Sequence, residues 1–262
     1  MSKNYALNKV TKVNSIREML ELAVKEAGEK NAFEYRDENQ SDKIVKVTYK
    51  EFNNDTEELG TALASIGMAD KHIAMIGENS YKWLTVYLTV LKSTGVFVPI
   101  DRELPCKDII NVLKHSDSEV LFYSEKYEKW INEIKENVPN IKFFIGLNRK
   151  KHDGNILSYE IFKENLKNVL NQGSKIYTEL KDDENKLKLL VYTSGTTGQP
   201  KGVMLTEHNL ISVVYYGLQV ADIGEKCLSV LPYHHTYEAV AGILVELHHH
   251  SCICINDSWK MY

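Results

Sequence analysis

Apolar and polar positions recur along this chain with two periods, and each change of period marks an element. Ile16, Leu20, Ala23, Val24 and Ala27 fall at helical spacing, with Ser15 placed to cap that helix and Gly28 to stop it. Residues 45–49 alternate as a strand does, and residues 49–66 resume a helical period. A strand–helix series follows. The pattern predicts a strand at 72–77, a turn at Glu78-Asn79-Ser80 that caps a helix reaching Thr94, a stop at Gly95 and an apolar strand at 96–100. Pro105 opens the next helix at a position where its missing N–H does no harm. Strands at 119–123 and 141–146 flank a helix near 125–137. This βαβ repetition predicts a mostly parallel sheet with right-handed crossovers and helices on its faces.

The polar stretch 149–154, with Arg149, Lys150 and Lys151, reads as a solvated break. Residues 157–171 resume a helical pattern, and residues 172–186 read as a polar linker into another sheet whose first strand is 187–193. Thr206 caps a helix carrying Leu210, Ile211, Val214, Tyr215 and Leu218. A strand at 227–231, a helix at 237–247 and a strand at 251–255 complete the pattern. The expectation is an α/β chain of mostly parallel sheets flanked by helices, with a first subdomain over 1–172 and the start of a second over 173–262.

With 262 residues, 43% of them hydrophobic and 26% charged, the chain can bury a sizeable core as a globular protein. A net charge of −4 gives no electrostatic reason to expect nucleic acid or a polybasic membrane patch. The N-terminus has no secretory apolar region, and the longest apolar stretch, 83–91, is too short to span a bilayer. Four cysteines, Cys106, Cys227, Cys252 and Cys254, are too sparse for a disulfide scaffold, so the expectation is a cytoplasmic protein.

The most specific chemistry lies in Tyr192-Thr193-Ser194-Gly195-Thr196-Thr197-Gly198-Gln199-Pro200-Lys201-Gly202-Val203. Two glycines let a loop curl so that successive backbone N–H groups converge on an anion. Thr193, Ser194, Thr196 and Thr197 add short hydroxyl donors, and Lys201 adds a point charge on a flexible stem. The apolar run 189–192 ahead of it reads as a buried strand, which puts the loop where open α/β sheets bind ligands. A Walker A spacing is absent, because Pro200 stands where its second glycine belongs, and there is no GxGxxG run. Read alone, the cluster fits either a phosphate cradle or an ordinary turn.

A second constellation, Leu231-Pro232-Tyr233-His234-His235-Thr236-Tyr237-Glu238, also follows a strand end. Its side chains could bind a metal, do acid–base work, line a pocket or simply form a polar turn. His248, His250, Cys252 and Cys254 would share one face of a strand at period two. Neighbours on one strand face splay rather than converge tetrahedrally, so buried free cysteines are the expectation there rather than zinc.

At every position the twelve-residue loop resembles the phosphate-loop signature of AMP-forming acyl-CoA synthetases and their adenylating relatives, the luciferases and peptide-synthetase adenylation domains among them. The string 231–238 is similar to the second core motif of those enzymes, most of all in the long-chain fatty-acyl members. Two weaker motifs, at 47–52 and 91–101, agree and are expected to do structural work, and the resemblance spans residues 16–255. It implies the N-terminal part of an acyl-CoA synthetase-like fold and a two-step reaction. A carboxylate attacks the α-phosphorus of ATP to give an acyl-adenylate and pyrophosphate, and a thiol such as coenzyme A then displaces AMP. By resemblance, the loop with Ser194, Gly195, Thr196, Thr197, Gly198 and Lys201 holds the β- and γ-phosphates, and Thr193 helps ligate Mg2+. His235 sits by the adenylate and joins Lys201 as a candidate catalytic residue, Tyr237 walls the acyl pocket, and Glu238 joins it at the substrate.

The family's adenine motif Tyr-Gly-x-Thr-Glu, its ribose motif Thr-Gly-Asp and its C-terminal domain are not found in the 262 residues. The expectation is therefore a truncated portion of a fatty-acid–CoA ligase, inactive alone and able to form homo-oligomers through a truncated sheet edge. The alternatives are an amino-acid or aryl-acid adenylation domain and a non-catalytic phosphate-binding module.

Overall fold

The apolar run at 83–91 becomes the buried middle of the molecule. In the computed structural model, which describes residues 8–37, 40, 42–164, 175–181, 183–193 and 201–256, every residue from Trp83 to Lys92 is buried. The chain begins with helix α1 (Ile16–Ala27), capped by Ser15 as its sequence predicts, and a hairpin of strands β1 (Asn31–Arg36) and β2 (Ile44–Thr48). Helix α2 (Tyr49–Ser65) opens with a capping box between Thr48 and Glu51. The βαβ series then runs β3 (His72–Ile76), α3 (Tyr81–Lys92), β4 (Val96–Pro99), α4 (Cys106–His115), β5 (Val120–Tyr123), α5 (Ile131–Asn137) and β6 (Phe143–Gly146). Strands β7 (Ile156–Ser158), β8 (Leu187–Thr193) and β9 (Lys201–Thr206) precede helix α6 (Glu207–Val220) and strand β10 (Lys226–Ser229). A π-helix (Tyr237–Val245) runs into one α-turn (Glu246–His248) and then into β11 (Cys252–Ile255).

Seven strands pair in the order β7-β6-β5-β3-β4-β8-β9, all parallel except β9, which is antiparallel to β8. The other four pair as β10-β11-β1-β2, with only the β1–β2 pair antiparallel. The expected α/β class with mostly parallel sheets holds. The expectation that 187–193 begins another sheet does not. Leu189 lies in register with Phe97 of β4, so each sheet draws strands from both sides of residue 172. A buried apolar run reports that a strand is covered on both faces, but not which neighbour it joins. Strands β1, β7 and β9 escaped the pattern reading, β7 because it has only three residues. The helix expected over 157–171 starts at residue 159, after β7, and residues 165–171 lie outside the described set.

One core cluster fills the space between the sheets, joining Phe33, Val47 and Ile253 on one side to Met75, Phe97 and Phe122 on the other through α1, α2 and α3. A second covers the opposite face of the seven-stranded sheet with α4 and α5. A buried ion pair ties four elements together. Lys188 of β8 lies 3.4 Å from Glu207 at the start of α6 and donates to the carbonyl of Leu91, while Glu207 accepts from the N–H of Ile16. His248 and His250 are not on the last strand. His248 ends the α-turn and His250 has a φ of 63°, leaving only Cys252 and Cys254 on a shared strand face. All four cysteines are free. Among the described residues no helix is long and apolar enough to cross a membrane.

Candidate active site

Strand ends of both sheets meet the two motifs. Strand β8 ends at Thr193, whose register partner across the hairpin is Lys201, so the two flanks of the phosphate loop are paired side by side. Thr193 and Lys201 are both exposed at this mouth. Ser194, Gly195, Thr196, Thr197 and Gly198 lie outside the described residues. Just inside the mouth, the Tyr192 hydroxyl shares a 2.7 Å hydrogen bond with His115 Nδ1 at the end of α4.

The second motif is bolted to the turn after β3. Asn79 donates to the carbonyl of Leu231 at 2.7 Å and accepts from the N–H of Tyr233 at 3.2 Å. The Tyr233 ring is buried against Trp83 of α3, with centroids 5.1 Å apart. That anchor leaves the two histidines at the carboxyl end of β4. His234 Nε2 lies 3.3 Å from Asp101, and its ring lies 4.2 Å from that of His235. Burial pushes His234 down to about 4, against a smaller opposing pull from Asp101. It is a neutral imidazole near pH 7, with Nε2 facing the carboxylate. His235 itself is exposed, free to meet a ligand.

The chain then enters the π-helix, a rare conformation that concentrates at functional sites. Tyr237 is 71% exposed and, with Leu205 of β9, Leu210 and Val213 of α6, Val240 and Ala241, lines a groove of about 240 Å³ whose walls, among the described residues, carry no charged side chain. Glu238 points the other way. It is 5% exposed, accepts a hydrogen bond from Ser229 Oγ, and its carboxyl is pushed above the ordinary range by burial. The expected substrate contact of Glu238 is thus replaced by an internal one: the residue after an outward-facing Tyr237 is turned toward the core. Gly242 is the matching device, since a Cβ there would sit 2.6 Å from Glu238 Oε2. Asn79 and Asp101 were not singled out from the sequence. Both follow strand ends, the one signal that could have marked them.

Strand ends of the α/β core thus carry the described flanks of the Gly/Ser/Thr loop and the His-His string, and the comparisons place the chain in a family. The model of the AMP-binding enzyme family matches residues 20–261, and the chain belongs to that family. It is 27% identical over 222 residues to the long-chain-fatty-acid–[acyl-carrier-protein] ligase AEE15, chloroplastic, of Arabidopsis thaliana, covering 78% of this chain and 30% of that protein. It is also 27% identical over 177 residues to a medium-chain-fatty-acid–CoA ligase of Ectopseudomonas oleovorans, covering 65% and 31%. Among solved structures, the anthranilate CoA ligase AuaEII in complex with anthranoyl-AMP superposes with a TM-score of 0.80 at 17% identity, over 93% of this chain and 45% of that one. At that identity the likeness concerns the fold. The chain spans about a third of the length of these two relatives.

Proposed function

We propose that this chain forms the phosphate-loop half of an ATP-dependent, AMP-forming carboxylate–CoA ligase whose acyl substrate is a fatty acid. The observation that carries the reading is the uncharged groove. Strand β9, which runs on from Lys201, and the π-helix, which follows His235, wall one apolar slot from opposite sides. An alkyl chain in that slot would point its carboxylate toward the histidines and the phosphate mouth. An amino acid would need a counter-charge for its ammonium group, and the groove walls offer none.

In the proposed reaction the carboxylate oxygen forms a bond to the α-phosphorus of ATP, and the bond to pyrophosphate breaks. A thiol, coenzyme A in this reading, then adds to the acyl carbon and AMP leaves. Catalysis of the first step rests on positioning and charge stabilisation. Lys201 and the loop Ser194–Gly198 hold phosphate oxygens, Asp101 orients His234, and His235 faces the carboxylate. Thr193, an exposed hydroxyl at a strand's carboxyl end, supplies the hard oxygen that suits Mg2+, which neutralises phosphate charge when bound. Turnover by the 262 residues alone is expected to be absent, because the adenine and ribose motifs of the family are not in this sequence.

Pyrophosphate exchange with a panel of fatty, aryl and amino acids, run on the longest product of the gene, is the test. Exchange with medium or long fatty acids is expected, and exchange confined to amino acids would reject the fatty-acyl assignment. On the 262-residue chain, displacement of a fluorescent fatty acid should weaken in Tyr237→Asp, which places a charge in the groove wall.

A further inference from the structure

The four-stranded sheet keeps its apolar side chains on the inner face, where Phe33 of β1 lies in register with Ile253 of β11. The alternate positions face outward and hold a different chemistry. Glu34 is the register partner of Cys254, and Cys252 lies two residues before it on the same face. One ligand atom from each, the two Sγ atoms and a Glu34 carboxylate oxygen, lie within 4.8 Å of one another. Splaying along a single strand, the objection raised from spacing alone, is overcome by the neighbouring strand, which brings the carboxylate across to both sulfurs.

We propose that Cys252, Cys254 and Glu34 form a binding site for one thiophilic divalent cation of the Zn2+ or Cd2+ class. Two thiolates and a carboxylate match the soft and borderline donor set that such ions take, with water as the fourth ligand. Sulfur–metal bonds of about 2.3 Å require the three atoms to close by less than about 1.5 Å, within the reach of side-chain rotation. Two lysines beside the cluster fit the exchange. Lys226 of β10 bonds both Glu34 oxygens at 2.9 Å, and Lys46 of β2 lies in register with Glu34. With neutral thiols, Lys226, Lys46 and Glu34 together carry one net positive charge. Uptake of a divalent cation with loss of two thiol protons leaves the sum unchanged, so the lysines stabilise the thiolates without opposing the loaded site. The Lys226–Glu34 pair that must loosen is exposed on the lysine side, where an ion pair contributes little. Binding displaces the thiol protons, so it strengthens as pH rises.

Cd2+ is the probe, because its thiolate charge-transfer absorbance reports sulfur ligation directly. The reduced 262-residue chain should take up one Cd2+ with micromolar or tighter affinity, release about two protons per ion, and yield the ion to Zn2+ in competition. Cys254→Ser, at a half-buried position, should abolish the absorbance while circular dichroism stays unchanged. Glu34→Gln should weaken uptake by at least the ~10–100-fold that loss of a supporting partner costs a metal site. Cys106→Ser should bind as the parent does. No uptake at micromolar Cd2+, or equal uptake by Cys254→Ser, would overturn the assignment.

Discussion

Lys201 is the one charged residue of the run 192–203 and lies opposite Thr193 at an exposed strand end, where the proposed reaction would have it meet a phosphate. Replacing it with alanine in the active product should weaken ATP use by about one to two decades, the equivalent of one charge-assisted hydrogen bond of ~1.5–3 kcal/mol. Binding of the acyl substrate should be unaffected. Unchanged kinetics with ATP would mean that the loop does not hold phosphate. The neighbouring histidines show what residue-level reading could and could not deliver. His235 and Tyr237, marked by their resemblance to the family's second core motif, stand exposed. Glu238 shares their motif, yet its direction is set by the local backbone, which no list of residue types contains.

That backbone is the π-helix, and at the scale of elements it explains more than the site. Gly242 meets Glu238 inside it so closely that Gly242→Ala should destabilise the chain by about 1–3 kcal/mol, the usual cost of overpacking. The double variant with Glu238→Ala should recover most of the loss. A double-mutant cycle by urea unfolding measures the coupling, and additive effects would show that the two do not compete for space. The Lys188–Glu207 pair binds β8 and α6 to α1 and α3, so Glu207→Ala should cost about 3–5 kcal/mol by stranding a buried cation near two carbonyls. Thermal melts decide it, and a loss below about 1 kcal/mol would mean that solvent reaches the pair. Element boundaries were legible wherever a local signal marks them, as Ser15, Ser80 and Thr206 do with their caps. The π-helix was read as an ordinary helix because a short apolar run does not distinguish the two, whereas its buried positions pair five residues apart, as Glu238 with Ile243 and Ala239 with Leu244. Strand β9 was invisible since it follows the loop and exposes Val203 and Met204.

For the whole molecule, pH should cut stability on both sides of a plateau. His234 falls from 6.5 to about 4, and His248 and His250 are also lowered, in each case chiefly by burial. The unfolded chain then takes up protons first, so this stability is present above pH 6.5 and is lost as pH falls below it. Cys106, Cys227 and Cys252 rise from 9.0 to about 11, 12 and 12 through burial, so their contribution is present below pH 9 and is lost as pH climbs toward those values. Lys92, lowered to about 8 by burial, acts oppositely between 8 and 10.5, one group against three. Urea unfolding of the reduced chain should show the plateau between about pH 6.5 and 9, and a steady rise through pH 10 would contradict it. The exposed edge strand β10, with Leu228 66% exposed, should also let copies associate. Light scattering that finds only monomers across concentrations would show that Lys226 guards the edge. The division at residue 172 failed for a reason that belongs to this scale, since periodicity is local whereas pairing joins residues far apart. Phe33 meets Ile253 and Leu189 meets Phe97. That interlocking has a consequence on the ribosome. The β1–β2 hairpin emerges early, but its parallel neighbour β11 follows about two hundred residues later, which at roughly 5–20 residues per second leaves it waiting for about ten to forty seconds. Throughout that interval Phe33 and its apolar neighbours lack the cover of β11, so synthesis slowed after β2 would lengthen the nascent chain's dependence on a chaperone.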